Sequence, residues 1–326
     1  MRAYIIRRVV LVIPTVFLAS LIVFFMIRLI PGSVIDAMLT TSGSFLIRNR
    51  ALLEQRLGLD VPVFTQYGRW MGFIPGADGS ISGILQGDFG TSLWRGNPVI
   101  EQILDGLPVT VELGLLGLII AQVISLPIAI FSALRQDTWG DYVSRTFAIL
   151  CMAVPGFWLA TLIIVMPSIW WGYMPSIALI PFVEDPIGNL KMFIVPAIVL
   201  GMGMTGATMR LTRTMMLEVL RQDYIRTAWA KGLRERVVVL RHALKNALIP
   251  VVSLIGLQVP VMIGGTVIIE QIFCLPGIGR LTMDALMRRD YTIISGILIF
   301  FGLAIVLINL MVDLAYGYLD PRLRYR

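Results

Sequence analysis

The sequence predicts an all-α polytopic membrane protein with six transmembrane helices. Of its 326 residues, 57% are hydrophobic and only 14% are charged, and the mean hydropathy of +0.83 exceeds that of ordinary soluble domains. A helix needs roughly 20 apolar residues to cross a bilayer, where every backbone polar group must be paired. Six segments meet this requirement: 9–30, 108–134, 145–171, 192–209, 248–269 and 292–316.

The first span is predicted to be a retained anchor. Arg2, Arg7 and Arg8 precede it, as they would precede a secretory signal. Its apolar run is longer than a usual signal core, however, and no small-residue cleavage site follows. Pro14 marks a bend in this helix and the Pro31-Gly32 pair marks its end.

The distribution of basic residues predicts that both termini are cytoplasmic. With this orientation 17 lysines and arginines lie on the cytoplasmic side and nine on the other, as the positive-inside rule requires. The net charge of +7 therefore needs no nucleic-acid partner. The chain then comprises an N-terminus with the first helix (1–30), an extracytoplasmic segment (31–107), a five-helix core (108–316) and a cytoplasmic tail (317–326).

The extracytoplasmic segment is predicted to cap the membrane domain. Residues 48–59 have helical character that ends around Gly58, and a glycine-rich stretch follows. A plain surface loop and a docking surface for an external partner are both consistent with this composition.

The most informative region is the basic cytoplasmic segment 210–247. The fourth span continues into it, a short helix over 224–231 ends at Gly232, and a second helix over 234–246 leads back to the membrane. The small residue Ala228, beside Thr227, is expected to allow close approach of a partner surface, and Arg226 and Lys231 to pair with acidic groups. An alternative is an amphipathic segment that lies on anionic lipid.

The sequence of this segment distinguishes these alternatives. YIRTAWAKGL followed by LRHALKNALIP resembles the cytoplasmic loop of the B-type permease subunit of dipeptide, oligopeptide and nickel ABC importers. Only Ala228, Gly232 and Leu244 match the more general permease pattern, and Arg226 stands where that pattern has glutamate. Further resemblances to the same subunit are the N-terminal YIIRRVVLVIPTVFLASLIVFFMIRLIPGS, LLEQRLGLDVPVFTQYGRW, GDFGTSL at 87–93 and EQIFCLPGIGRLTMDALMRRDYTII at 270–294.

The resemblance implies a type I ABC importer permease fold and a function in ATP-driven uptake at a bacterial or archaeal plasma membrane. It implies a homologous second permease subunit, two ATPase subunits that bind ATP and Mg, and an extracytoplasmic substrate-binding protein. The coupling residues would be Tyr224, Arg226, Thr227, Ala228, Lys231 and Gly232. Peptides are the first candidate cargo, followed by nickel complexes, oligosaccharides, glutathione and opine-like compounds.

A compact turn is predicted after the fifth span, at Pro276, Gly277 and Gly279, followed by a short amphipathic helix over 280–289. This helix would either close the outer mouth of a transport path or form an ordinary loop. The charged residues Arg28, Glu112, Glu270 and Asp313 fall near span ends, where side chains reach the interface. No buried proton relay is evident, which argues against a proton-driven secondary carrier.

Other classes receive less support from the sequence. No Gly-x-x-x-x-Gly-Lys-Ser/Thr motif is present, so the chain is not expected to bind ATP itself. Cys151 and Cys274 predict neither a disulfide framework nor a metal site, and the single His242 has no accompanying nucleophile or carboxylate. A membrane-embedded enzyme is therefore not expected, and a basic scaffold would not explain six ordered spans.

Overall fold

The computed structural model describes residues 2–29, 60–76, 79–172 and 179–319. Its helices are α1 (Arg2–Arg28), α2 (Val63–Met71), α3 (Val99–Leu134), α4 (Trp139–Ala153), α5 (Gly156–Trp171), α6 (Pro186–Leu220), α7 (Asp223–Ala230), α8 (Glu235–Ile272), α9 (Ile278–Arg288) and α10 (Tyr291–Leu319). The predicted helix over 48–59, the stop at Pro31-Gly32 and residues 320–326 of the tail lie outside the described residues.

The predicted fold class is confirmed. Five helices (α1, α3, α6, α8 and α10) contain stretches long and apolar enough to span a membrane, and the α4–α5 pair brings the total to six if it counts as one span.

The third predicted span, 145–171, is not one straight helix. It divides into α4 and α5, which meet at an angle of 91°. Val154 has an extended backbone (φ −82°, ψ 119°) immediately before Pro155, because the proline ring disfavours helical geometry in the preceding residue. The predicted span over 145–171 is therefore present as a pair of helices that is bent at Pro155.

Two further boundaries differ from the prediction. α3 begins at Val99, nine residues before the predicted start. α6 begins at Pro186, where the side chain of Asp185 accepts hydrogen bonds from the backbone N–H groups of Ile187 (3.1 Å) and Gly188 (3.0 Å). Aspartate as N-cap and proline at the first helical position form a strong helix start.

The chain forms two compact units. The first contains residues 1–8, 109–279 and 307–326, and α6 is its central helix. A core cluster joins side chains from α3, α5, α6 and α8 around Phe193, Leu113, Ala160 and Ile269. Close backbone approach supports this packing, because a Cβ atom at Gly201 would lie 2.6 Å from the carbonyl oxygen of Gly117.

The second unit contains residues 9–108 and 280–306. Here α1 packs against α2 through Phe24, Tyr67 and Met71. The rings of Phe24 and Tyr67 make an edge contact at 5.1 Å, and the Tyr67 hydroxyl lies 2.8 Å from the Ser20 hydroxyl.

Candidate functional site

The short helix α7 is the candidate functional site. It follows α6 after a two-residue turn, and Asp223 lies in its first turn, where a carboxylate interacts favourably with the helix dipole. The helix ends at Ala230, and Gly232, two residues later, has a left-handed φ of +76°. The Gly232 N–H donates to the carbonyl of Trp229 (2.9 Å). The predicted helix and its glycine stop are therefore both present.

One face of α7 belongs to the core of the chain itself. Ile225 is fully buried and Ala228 is 7% exposed, one helical turn apart. They pack in a cluster with residues of α3, α6 and α8: Ala133, Met216, Val238, Val239, Ala243 and Ala247. The small side chain of Ala228 was predicted from the sequence to allow close approach by a partner. In the structure Ala228 serves internal packing, and its small size lets α7 lie close to its own bundle.

The opposite face of α7 is open to solvent. The exposed residues include Tyr224 (44%) and Trp229 (43%), together with Arg226, Thr227, Lys231 and Gly232. The Arg226 guanidinium lies 3.5 Å from the Asp223 carboxylate in an exposed pair. Five of the six residues predicted to couple to a partner are therefore accessible. Trp229 was missed, although tryptophan is enriched among the residues that dominate protein interfaces.

Both flanking helices hold α7 in place. The Asn246 side-chain amide donates to the Tyr224 hydroxyl (2.8 Å), which joins α8 to α7. The start of α8 contains a π-helical turn, Val238–Ala243, whose residues Val238 and Val239 are buried against the α7 cluster. The helix predicted over 234–246, which was expected to lead back to the membrane, is continuous with the fifth span. A displacement of α7 would act directly on α6 and α8.

A buried ion pair reinforces the same end of the bundle. Arg213 of α6 makes a bidentate contact with Asp141 of α4, at 2.7 Å from Nε to Oδ1 and 2.6 Å from Nη2 to Oδ2. The Ser132 hydroxyl of α3 donates to the same carboxylate, and so does the Asp137 N–H (3.1 Å). Asp141 is fully buried. Sequence reasoning missed this site because the partners are 72 positions apart.

The predicted turn after α8 encloses a buried carboxylate. Glu270 is fully buried, although its position near a span end predicted that its side chain would reach the interface. The Thr110 hydroxyl donates to Glu270 Oε1 (2.8 Å) and accepts from the Ile278 N–H (2.9 Å). A Cβ atom at Gly277 would overlap the Glu270 carboxylate. The turn folds over the carboxylate, which explains why it needs glycine at this position.

The other residues of this turn have different environments. Pro276 is exposed, while Gly279 is buried, and a Cβ atom at Gly279 would lie 2.5 Å from the Val267 Cα. The predicted helix after the turn is present as α9. Its role at the mouth of a path stays a prediction.

Two of the sequence segments noted above meet in the second unit. The hydroxyl of Ser92, from GDFGTSL, donates to the Asp290 carboxylate (2.6 Å), which follows α9, and the Leu93 N–H donates to the same oxygen (3.1 Å). The Trp94 indole N–H donates to the carbonyl of Arg288 (2.8 Å). These bonds connect residues nearly 200 positions apart.

Comparison with known proteins decides the family. Residues 125–325 match the family described as binding-protein-dependent transport system inner membrane component, and residues 1–114 match the N-terminal family of the same systems. The chain belongs to this family of permeases. The resemblance inferred from the sequence is thereby confirmed.

Full-length relatives agree with this assignment. The permease is 38% identical to the dipeptide transport system permease protein DppB of Alkalihalophilus pseudofirmus over 346 residues. It is 36% identical to the oligopeptide transport system permease protein AppB of Bacillus subtilis over 328 residues. Both comparisons cover all of each chain.

A solved structure supports the fold. A crystal structure of an amino acid ABC transporter matches 67% of the permease and 94% of the solved chain, with a TM-score of 0.52 and 14% identity. At this identity the match shows the shared fold alone.

Proposed function

We propose that this permease is the B-type membrane subunit of an ATP-driven importer for peptides or related small solutes. The observation that carries the proposal is α7, a short helix with one face buried in its own bundle and the other open to a partner. The names of the full-length relatives, which refer to dipeptide and oligopeptide transport, supply the cargo class.

The proposed complex contains a second, homologous permease subunit and two ATPase subunits. ATP and Mg bind to the ATPase subunits, and a binding protein delivers cargo to the extracytoplasmic face. The exposed side chains of α7, with Tyr224 and Trp229 as aromatic anchors, contact an ATPase subunit on the cytoplasmic side. Arg226 and Lys231 contribute positive charge, so the complementary surface is expected to carry carboxylates.

The mechanism transmits motion through α7. ATP binding draws the ATPase subunits together and displaces α7. The buried face of α7, with the Tyr224–Asn246 hydrogen bond, passes this displacement to α6 and α8. The bundle then alternates between inward-open and outward-open states, whose populations are set by nucleotide and by the loaded binding protein.

The deciding experiment is uptake of a radiolabelled dipeptide into proteoliposomes that contain the complete complex and its binding protein. We expect uptake to require ATP in the vesicle lumen, on the side that the ATPase subunits face. Uptake should continue when a protonophore removes the proton gradient. Uptake that follows the proton gradient without ATP would overturn the proposal in favour of a secondary carrier. Purification of the tagged permease without ATPase subunits would contradict the proposed assembly.

A further inference from the structure

A second feature lies at the α7 end of the first unit, outside α7 itself. A cavity of about 330 Å³ opens between α4 and α6. Its walls are mainly apolar, formed by residues such as Ile149, Met152 and Met209. Three arginines also line it: Arg145, Arg210 and Arg213.

The charge of the cavity is only partly neutralised. The charge of Arg213 is neutralised by its bidentate contact with Asp141. Arg145 and Arg210 are exposed, and neither has a carboxylate within ion-pair distance among the described residues. No acidic side chain belongs to the cavity wall formed by the described chain. The cavity therefore presents two uncompensated guanidinium groups beside an apolar surface.

The depth of this cavity matches the membrane interface. Trp139 and Tyr142, at the start of α4, are 86% and 51% exposed, and exposed Trp and Tyr side chains are typical of the headgroup level. The Arg145 guanidinium lies 5.8 Å from the centre of the Tyr142 ring. Beyond it, Ile149 is 64% exposed, as expected for a surface that faces acyl chains. Along α4, Arg145 thus lies next to these aromatic side chains, and the apolar residues Ile149 and Met152 follow it further along the helix.

We propose that this cavity binds one anionic glycerophospholipid. Its phosphate contacts Arg145 and Arg210, and an acyl chain lies along Ile149, Met152 and Met209. Arginine suits this role because its planar guanidinium donates two parallel hydrogen bonds to a phosphate. Basic pockets between transmembrane helices bind anionic headgroups by the same chemistry. The lipid would fill the space between α4 and α6, beside the ion pair that joins them.

The test measures lipid binding to the purified complex by native mass spectrometry, with phosphatidylglycerol as the probe. The variant Arg145→Gln/Arg210→Gln should bind this lipid about thirtyfold more weakly, since each basic residue near the membrane surface contributes about fivefold to the affinity. The matched control Arg135→Gln/Arg221→Gln removes two exposed arginines at the same end of the bundle and should bind as the wild type does. The wild type should bind phosphatidylcholine more weakly than phosphatidylglycerol. The double variant should bind the two lipids equally.

Three results would overturn the proposal. The first is unchanged phosphatidylglycerol binding in Arg145→Gln/Arg210→Gln. The second is an equal loss in the control, which would indicate attraction by overall charge. The third is displacement of the lipid by millimolar inorganic phosphate, which would identify a site for free anions. If the double variant fails to assemble, the single variants Arg145→Gln and Arg145→Lys decide, because only lysine should retain part of the binding.

Discussion

Individual residues in this permease have roles that depend on which way they face along α7. Ala228 and Thr227 are neighbours in the sequence, but Ala228 is buried in the bundle and Thr227 is exposed. The Thr227 hydroxyl donates to the carbonyl of Asp223 (3.0 Å), so it is satisfied within its own helix. These two positions therefore separate internal packing from contact with a partner.

Leucine at each position should give opposite results. Ala228→Leu inserts three carbons into a packed cluster and should destabilise the solubilised complex by about 1–3 kcal/mol. Thr227→Leu should leave thermal stability unchanged and reduce ATPase stimulation by loaded binding protein. A thermal melt followed by gel filtration and an ATPase assay measures both effects. Wild-type stability of Ala228→Leu would contradict the burial, and full stimulation of Thr227→Leu would contradict the contact surface.

The buried ion pair gives an asymmetric prediction at the same scale. Removing one partner of a buried pair is costly because the other charge stays uncompensated. Asp141 is fully buried, whereas the Arg213 side chain keeps 19% exposure. Arg213→Gln should therefore cost about 3 kcal/mol or more, and Asp141→Asn should cost less. Thermal melts of both variants and of the double variant form a mutant cycle, and additive losses would argue against a direct interaction.

At the level of elements, the ends of α7 matter as much as its faces. Gly232 has a left-handed backbone, and a Cβ atom there would meet no atom within 4 Å. Glycine is therefore required at this position by the backbone conformation and not by a lack of space for a side chain. The π-helical turn of α8 follows soon after Gly232, and its buried valines pack against the buried face of α7. A change in the backbone conformation at Gly232 would therefore change the orientation of α7 relative to α8.

Substitution of Gly232 should uncouple transport without preventing membrane insertion. A β-branched residue in the left-handed region costs about 1–2 kcal/mol, so Gly232→Val should reduce ATPase stimulation by the loaded binding protein. Asparagine tolerates this region better, and Gly232→Asn should retain more of the stimulation. ATPase assays on reconstituted complexes at equal membrane expression measure the difference. Equal stimulation in both variants and the wild type would exclude a role for the turn.

At the scale of the whole molecule, the spans and the bend between α4 and α5 do not determine which side of the membrane each end faces. The distribution of charge predicts this orientation. The basic residues near α7 predict that this end faces the cytoplasm. Ala230, at the end of α7, is exposed, and Val183, on the side predicted to be extracytoplasmic, is also exposed. Their accessibility makes both positions suitable for labelling.

A cysteine at each position should report opposite sides of the membrane. In a Cys151→Ser/Cys274→Ser background, Ala230→Cys should react with an impermeant maleimide only in inside-out vesicles. Val183→Cys should react only in right-side-out vesicles. Labelling of Ala230→Cys from the outside would overturn the orientation and, with it, the proposed position of the ATPase subunits.

The sequence alone determined the membrane class, the approximate spans, the α7 segment and its stop at Gly232. These depend on local signals, namely the length of apolar runs, the density of charge and the backbone preference of glycine. Only the tertiary structure decided that Ala228 faces inward, that Glu270 is buried under its glycine turn and that Asp141 pairs with Arg213. Each of these depends on a neighbour distant in the chain, and the span length that identifies a transmembrane helix does not specify which of its faces meets which partner.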